Sequence, residues 1–452
     1  MSTLALSLDS LRSSFRGALI MPADSSYDKA RRVWNGLIDK RPAVIAECTG
    51  AADVMATVKY ARDLGVPLAV RCGGHSIGGN STCDGGVLLD LSRMKGVRVD
   101  SVARTARAEG GVLWQEFDHE TQAFGLATTG GMLGDTGIAG LTLGGGFGWL
   151  CAKYGLTIDN LLSVDIVLAS GELVTADENH LSDLFWAIRG GSGNFGVVTS
   201  FEYRLHKVGP MITGGLVLHP LARAGDMLRF YREFIQSTPD ELSVAAALLT
   251  GPDGHKVAAM VAAHCGSLEH GEQAVRPLKE FGPPIVDAIG PLPYLAQQSL
   301  LKDGYPPYLL NYWKADFINE LSDGLIAAAV EHYARTPSAR SAMLWFPFGG
   351  AVRRVASDAT AYPHRGGLHM GVYSLWTEPS ESTPNVDWAR KGWELMRPVA
   401  SGGVYVNELG LDENDDRIRS AYGTNYRRLA QLKAKYDPEN LFRLNANIPP
   451  SA

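Results

Sequence analysis

The run Arg71-Cys72-Gly73-Gly74-His75-Ser76-Ile77-Gly78-Gly79-Asn80 follows a short apolar segment, Pro67–Cys72, that reads as a buried strand. Clustered glycines after a strand bring backbone close to something. Their exposed N–H groups can form an anion-holding concavity, and a pyrophosphate is the natural guest. His75 stands inside this loop rather than on an apolar helix face, which makes it a functional candidate.

Working outward, Ala43–Cys48 reads as a strand and Ala51–Leu64 as a helix with Val54, Met55, Val58 and Ala61 at helical spacing, so the loop closes a strand–helix–strand unit. Val87–Leu91 is a further strand. Val97–Val99 with Thr105–Glu109 is a hairpin, and Trp114–Phe124 a helix. A second glycine run, Gly130 to Gly148, is too glycine-rich for a packed strand or helix and suits chain lying along a flat ligand. After the strand Leu162–Ala169 comes Gly191-Ser192-Gly193-Asn194-Phe195-Gly196, which matches G-x-G-x-x-G. A dinucleotide fingerprint needs a strand before it and a helix after it. Here a helix, Leu181–Arg189, comes first and a strand, Val197–Leu205, second, so a nicotinamide Rossmann site is disfavoured.

Beyond Lys207 the texture changes to longer strands, Gly214–Leu218, Ser243–Leu249, Lys256–Ala263, Tyr308–Phe317 and Leu368–Trp376, with helices such as Ala222–Gln236 and Ser322–Arg335 between them. The predicted class is α+β. Residues 1–207 form one domain of two α/β parts, and residues 208–401 a second domain on a broad antiparallel sheet. Residues 402–452 form a closing segment, with Tyr405–Glu408 as a strand and Asp415–Tyr436 as one long helix.

Composition narrows the function. The 452 residues are 45% hydrophobic and 20% charged, which excludes disorder, collagen and coiled coil. With 42 Lys and Arg against 48 Asp and Glu the net charge is −6, and no basic face argues for nucleic acid. No stretch approaches about 18 consecutive apolar residues, so no membrane-spanning helix is expected. Met1 to Arg16 lacks a basic start with an apolar core, so no signal peptide is expected. The five cysteines form no C-x-x-C pair, which disfavours a disulfide framework or a metal site and fits a cytoplasmic protein. Cys72 and Cys83, flanking His75, read as small buried hydrophobes.

The motifs R-C-G-G-H-S-I-G-G-N, D-G-G-V-L-L-D-L-S at Asp84–Ser92, G-L-T-L-G-G-G-F-G-W-L from Gly140, K-Y-G-L-T-I-D-N from Lys153, D-L-F-W-A-I-R-G-G-S-G-N-F-G-V-V-T at Asp183–Thr199, Y-V-N at Tyr405 and the closing K-Y-D-P-E-N-L-F-R-L-N-A-N-I-P-P occur in a fixed order over nearly the whole chain. In this the sequence resembles the FAD-linked oxidases of the berberine-bridge-enzyme-like group, within the vanillyl-alcohol oxidase and p-cresol methylhydroxylase superfamily. The resemblance implies a two-part FAD-binding domain of the p-cresol methylhydroxylase type and an inserted substrate domain whose large antiparallel sheet is flanked by helices. It implies covalent FAD on His75, cradled by Arg71, Cys72, Gly73, Gly74, Ser76 and Gly79 and by Gly134, Asp135, Thr136, Gly137, Gly140, Gly144, Gly145 and Gly148. Val198 would meet the adenine, and Asn407, Asn445 and Asn447 the isoalloxazine and ribityl chain. Many relatives carry a second, cysteinyl tether; the corresponding stretch here, Met132 to Gly137, has no cysteine and Cys151 does not align. One covalent link is therefore expected, which makes an oligosaccharide substrate less fitting.

The expected reaction takes a hydride from a C–H bond alpha to oxygen or nitrogen in a small or medium alcohol or amine, such as an alkaloid, with dioxygen as oxidant and hydrogen peroxide as product. The alternatives are a dehydrogenase using another acceptor and a flavin-binding protein without turnover. Candidate bases are Glu408, Tyr405, and His369 and Tyr373, which alternation sets on one face of a strand with small Gly371 leaving room between them. Lys314 is a weaker candidate. Tyr312, Trp313, Phe317, Trp345, Phe346, Phe348 and Trp376 are the expected aromatic walls, suited to a flat or apolar molecule. The implied partners are a small-molecule substrate and dioxygen, with no nucleic acid and no membrane; a monomer and a homodimer both remain open.

Overall fold

The computed structural model describes residues 8, 9, 11–251 and 253–451. The leader reading over Met1 to Arg16 falls in part outside them.

Short apolar strands build two small sheets. In the first, Val44–Glu47 and Leu68–Arg71 flank Val87–Asp90 in parallel, with Ala18–Ile20 antiparallel on the outer edge. The helix Ala51–Asp63 makes the crossover and buries Val54, Val58 and Ala61. Near-continuous apolar residues suit such strands, which are covered on both faces. The second sheet is antiparallel, in the order Val97–Asp100, Thr105–Glu109, Val197–Arg204, Leu161–Val167, Leu173–Asp177.

A large antiparallel sheet follows, with Met211–Pro220, Lys256–His264, Leu242–Thr250, Ala342–Phe348, Gly367–Trp376 and Leu310–Ile318 as successive neighbours. Its strands alternate with period two. On one face Tyr312, Trp345, Met370, Val372 and Trp376 pack with Tyr231, Tyr333 and Trp388 from the covering helices. On the other, Phe317, Phe346 and Phe348 meet Trp149, Tyr362 and Tyr405. The sheet thus roofs the glycine-rich part of the chain.

Three sequence expectations change, and one strand is added. Val406–Glu408 is a 3₁₀ turn, not a strand: Glu408 N–H bonds Tyr405 C=O at 3.0 Å, and Asn407 Nδ2 donates to Leu141 C=O. The long C-terminal helix is two, Asp415–Tyr422 and Tyr426–Tyr436, because Gly423 takes φ +47°. The second glycine run holds a helix after all, Ile138–Leu143, begun at Gly137. Ala342–Phe348, whose Pro347 disguises it, is a strand in the middle of the sheet.

Candidate active site

The first two glycine runs meet backbone to backbone. A Cβ on Gly73 would stand 2.5 Å from the Gly137 nitrogen, and one on Gly137 would stand 2.3 Å from Cys72 Sγ. Real Cβ atoms do not approach so closely, so both positions require glycine. The interlock sets His75 beside the second run: its Nε2 lies 3.3 Å from Asp135 Oδ2. Trp34 stacks on the imidazole at 4.7 Å and an interplanar angle of 22°. Burial alone would raise the Asp135 carboxyl, but the His75 contact outweighs it and holds the group below the usual carboxylate range.

These loops wall a cavity of about 350 Å³. Cys72, Gly73, Gly74, His75, Ser76, Thr136, Gly137 and Gly140 line it, with Val198, Asn407 and Asn445. A Cβ on Gly140 would meet nothing within 4 Å, so this glycine opens onto space. Burial pushes the Cys72 thiol up to about 11, and Cys83, pushed to about 11 for the same reason, bonds Val87 C=O. Both are inert at neutral pH.

Other expected contacts support the walls from behind. Arg71 pairs with Asp90 and bonds Arg32 C=O beneath the loop. Gly79 faces Ile38, Gly134 faces Gln115, Gly145 faces Tyr362, and Gly148 lies on the Gly130 carbonyl. Gly144 lets Asn407 in, since a Cβ there would stand 2.1 Å from the amide oxygen. Asn447, like Asn445, keeps a buried amide oxygen with no partner among the described residues.

At the sheet end, Glu408 lines the cavity with Tyr373, Tyr405, Trp313 and Tyr305. His369 Nε2 donates to Glu408 Oε2 at 2.7 Å, and Tyr373 O–H donates to Oε1 at 3.1 Å. Alternation brings these two side chains to one face. Gly371 leaves no gap between them, however, because a Cβ there would stand 2.3 Å from the Tyr373 hydroxyl. Burial and the neighbouring Glu408 charge raise Tyr373 well above an ordinary phenol. Tyr405 accepts from Gly146 N–H and Asn407 Nδ2, and burial nonetheless raises it.

Lys314 is no candidate base. It lies on the helix-covered face, bonded to Asp412 and Glu413 at 2.9 and 2.7 Å. Tyr312, Trp345 and Trp376 share that face, while Phe317, Phe346 and Phe348 sit in the core on the sheet's other face; of the expected walls Trp313 lines the cavity. Trp34, Phe147 and Tyr305 were not anticipated. Of these, Trp34 stood in Val33-Trp34-Asn35-Gly36, a turn-forming stretch outside the glycine runs, and Asn35 now ties it to Ile77 and Asn311 carbonyls.

The cavity suits FAD: glycines face into it, and the Asn445 oxygen, unpartnered among the described residues, is ready to accept from a hydroxyl. Fold and site together define an FAD-linked oxidoreductase. Residues 42–177 match the family described as FAD binding domain, and residues 404–449 the family described as berberine and berberine like. An FAD-linked oxidoreductase of Dictyostelium discoideum is 32% identical, over 97% of this chain and 95% of its own. The (R)-6-hydroxynicotine oxidase of Paenarthrobacter nicotinovorans is 31% identical over 97% of each chain. The crystal structure of 6-hydroxy-D-nicotine oxidase from Arthrobacter nicotinovorans superposes with a TM-score of 0.89 at 29% identity, covering 97% of this chain and 99% of that one. The chain belongs to the berberine-bridge-enzyme-like oxidases of the vanillyl-alcohol oxidase and p-cresol methylhydroxylase superfamily.

Proposed function

We propose that this oxidase removes a hydride from a C–H bond alpha to oxygen or nitrogen in a small or medium organic alcohol or amine, passes the electrons to dioxygen and releases hydrogen peroxide. The observation that carries the reading is Glu408, at the cavity wall with each carboxylate oxygen accepting one hydrogen bond. Each oxygen of a carboxylate so held keeps a further lone pair, which is available to the cavity. Bound in the cavity, FAD supplies the hydride acceptor. Glu408 takes the substrate's O–H or N–H proton. His369 and Tyr373 fix the carboxylate's orientation and offset its charge, and Phe147, Tyr305, Trp313 and Leu344 present an apolar surface to a flat substrate. Such walls favour an alkaloid or other secondary metabolite over a sugar.

His75 carries the cofactor as the single covalent link. Its Nε2 faces Asp135, which leaves Nδ1 for the tether. The five unpaired cysteines favour a cytoplasmic setting, and no helix among the described residues is long and apolar enough to cross a membrane.

Purified protein challenged anaerobically with a panel of alcohols and amines should bleach its flavin band with at least one of them. Admitting air should restore the band with stoichiometric peroxide. Bleaching that only a quinone or protein acceptor reverses would replace the oxidase by a dehydrogenase. Acid-precipitated protein should stay yellow, and His75→Ala should release its colour.

A further inference from the structure

Two side chains address His75, and neither is needed to shape the cavity. Asp135 Oδ2 stands 3.3 Å from Nε2, and the Trp34 ring lies flat against the imidazole. The contact is built in rather than incidental. The Gly73–Gly137 interlock leaves no slack between the loops, and the turn carrying Asp135 is fixed by Thr136 N–H to Leu133 C=O, Gln115 N–H to Gly134 C=O and Trp114 N–H to Thr136 C=O. A carboxylate on one imidazole nitrogen sets the tautomer: the proton stays on the nitrogen facing it and the other nitrogen presents a lone pair.

We propose that Asp135 is the positioning residue for self-attachment of the cofactor to His75, holding the ring with Nε2–H towards the carboxylate and Nδ1 free to attack the flavin 8α-methyl carbon. The proposal rests on the reading of His75 as the tether. Attack through Nδ1 leaves positive charge on the ring, which Asp135 and the face of Trp34 stabilise. Net, the Nδ1–C bond forms while one methyl C–H bond and the Nε2–H bond break. The two electrons and two protons released reduce one dioxygen to hydrogen peroxide, which leaves the tethered flavin oxidised. The depressed Asp135 carboxyl fits this role, since the group stays ionised throughout the neutral range.

Apo-protein made under riboflavin limitation is mixed with FAD in air. Total bound flavin is measured by absorbance after desalting, and tethered flavin by intact mass and acid-precipitable fluorescence over time. Asp135→Asn and Asp135→Ala should bind FAD as the wild type does but tether it at least tenfold more slowly. Asp135→Glu should stay within about threefold of wild type, and formate should restore part of the rate in Asp135→Ala. A purely structural role would lower binding and tethering together and would not respond to formate. Wild-type tethering rates in either neutral variant overturn the proposal, as does a loss of FAD binding in both. Wild-type protein that binds FAD and never tethers it overturns the His75 reading instead.

Discussion

His369 reaches Glu408 across 2.7 Å from a fully buried position, so the carboxylate at the cavity wall is held by a side chain that solvent does not touch. Phe147 and Phe317 flank the imidazole at 5.3 and 5.6 Å between ring centroids. The carboxylate is therefore anchored from the large antiparallel sheet while its own backbone belongs to the C-terminal segment. The site exists only where the two parts meet.

Replacing that acceptor tests its role. Glu408→Gln keeps the shape and leaves one carbonyl oxygen for the His369 or the Tyr373 donor, but removes the carboxylate. Positioned general bases contribute roughly 10²–10⁴-fold. The rate of anaerobic flavin bleaching by stopped flow should fall by about that factor, with flavin content unchanged. A loss under tenfold would move the base to Tyr405.

Tyr373→Phe is milder. It removes one donor from Glu408 and leaves the ring that packs at 4.7 Å against Trp313. A hydrogen bond to a charged group is worth about 1.5–3 kcal/mol, so the bleaching rate should drop by roughly 10–100-fold. Flavin binding should not change, as equilibrium titration of the apo-protein would show.

How far the sequence foretold this site depended on range. Glycines are legible because few other reasons put them in runs, and the interlock at Gly73 and Gly137 accounts for two of them. His369 and Tyr373 were placed together by period two alone, and both reach Glu408. Gly371 was misread as space because alternation says nothing of how Tyr373 leans along its own strand. Lys314, the weaker candidate, could not be placed from its own surroundings because its partners, Asp412 and Glu413, lie in the C-terminal segment. Six of the seven expected aromatic walls lie away from the cavity for a related reason: composition names them, but register decides whether Trp313 or Tyr312 faces it. Nothing local distinguishes Trp34 or Asp118, whose surroundings are built entirely by distant residues.

Asp118 sets a pH dependence of stability. It is fully buried where the helix Trp114–Gln122 meets Tyr294–Ser299, with Oδ2 accepting from Gln298 Nε2 at 2.9 Å and Oδ1 unpartnered among the described residues. Burial pushes its carboxyl up to about 7, against a partial opposing effect of Gln298. Because the folded-state value is raised, the native protein binds a proton that the unfolded chain has released between about pH 4 and pH 7. Stability from this group is therefore lost as pH rises through that window, by up to about 4 kcal/mol at pH 8. Asp118→Asn supplies a neutral isostere whose oxygen still accepts from Gln298. Its melting temperature should exceed the wild type's at pH 8 and approach it at pH 5. Equal differences at both pH values would mean that Asp118 is ionised when buried.

Lys314 separates stability from catalysis. Its ammonium is buried with the stem on the helix-covered face, and it joins Asp412 and Glu413 to a network that includes Tyr312 and Arg390. Burial opposes its charge, but the two carboxylates outweigh it and raise the group above its ordinary value. Lys314→Met fills about the same volume and leaves Glu413, whose side chain is only 8% exposed, with Arg417 Nε at 3.4 Å and the Gly410 N–H. Removing one partner of a buried ion pair costs about 3–5 kcal/mol; Asp412, 37% exposed, keeps Arg390 and water, so the lower end applies. Chemical denaturation should show a loss of about 3 kcal/mol, with the bleaching rate per bound flavin within about twofold of wild type. A collapse of that rate in folded, flavin-loaded protein would return Lys314 to the reaction, and would require the C-terminal segment to move the lysine into the cavity.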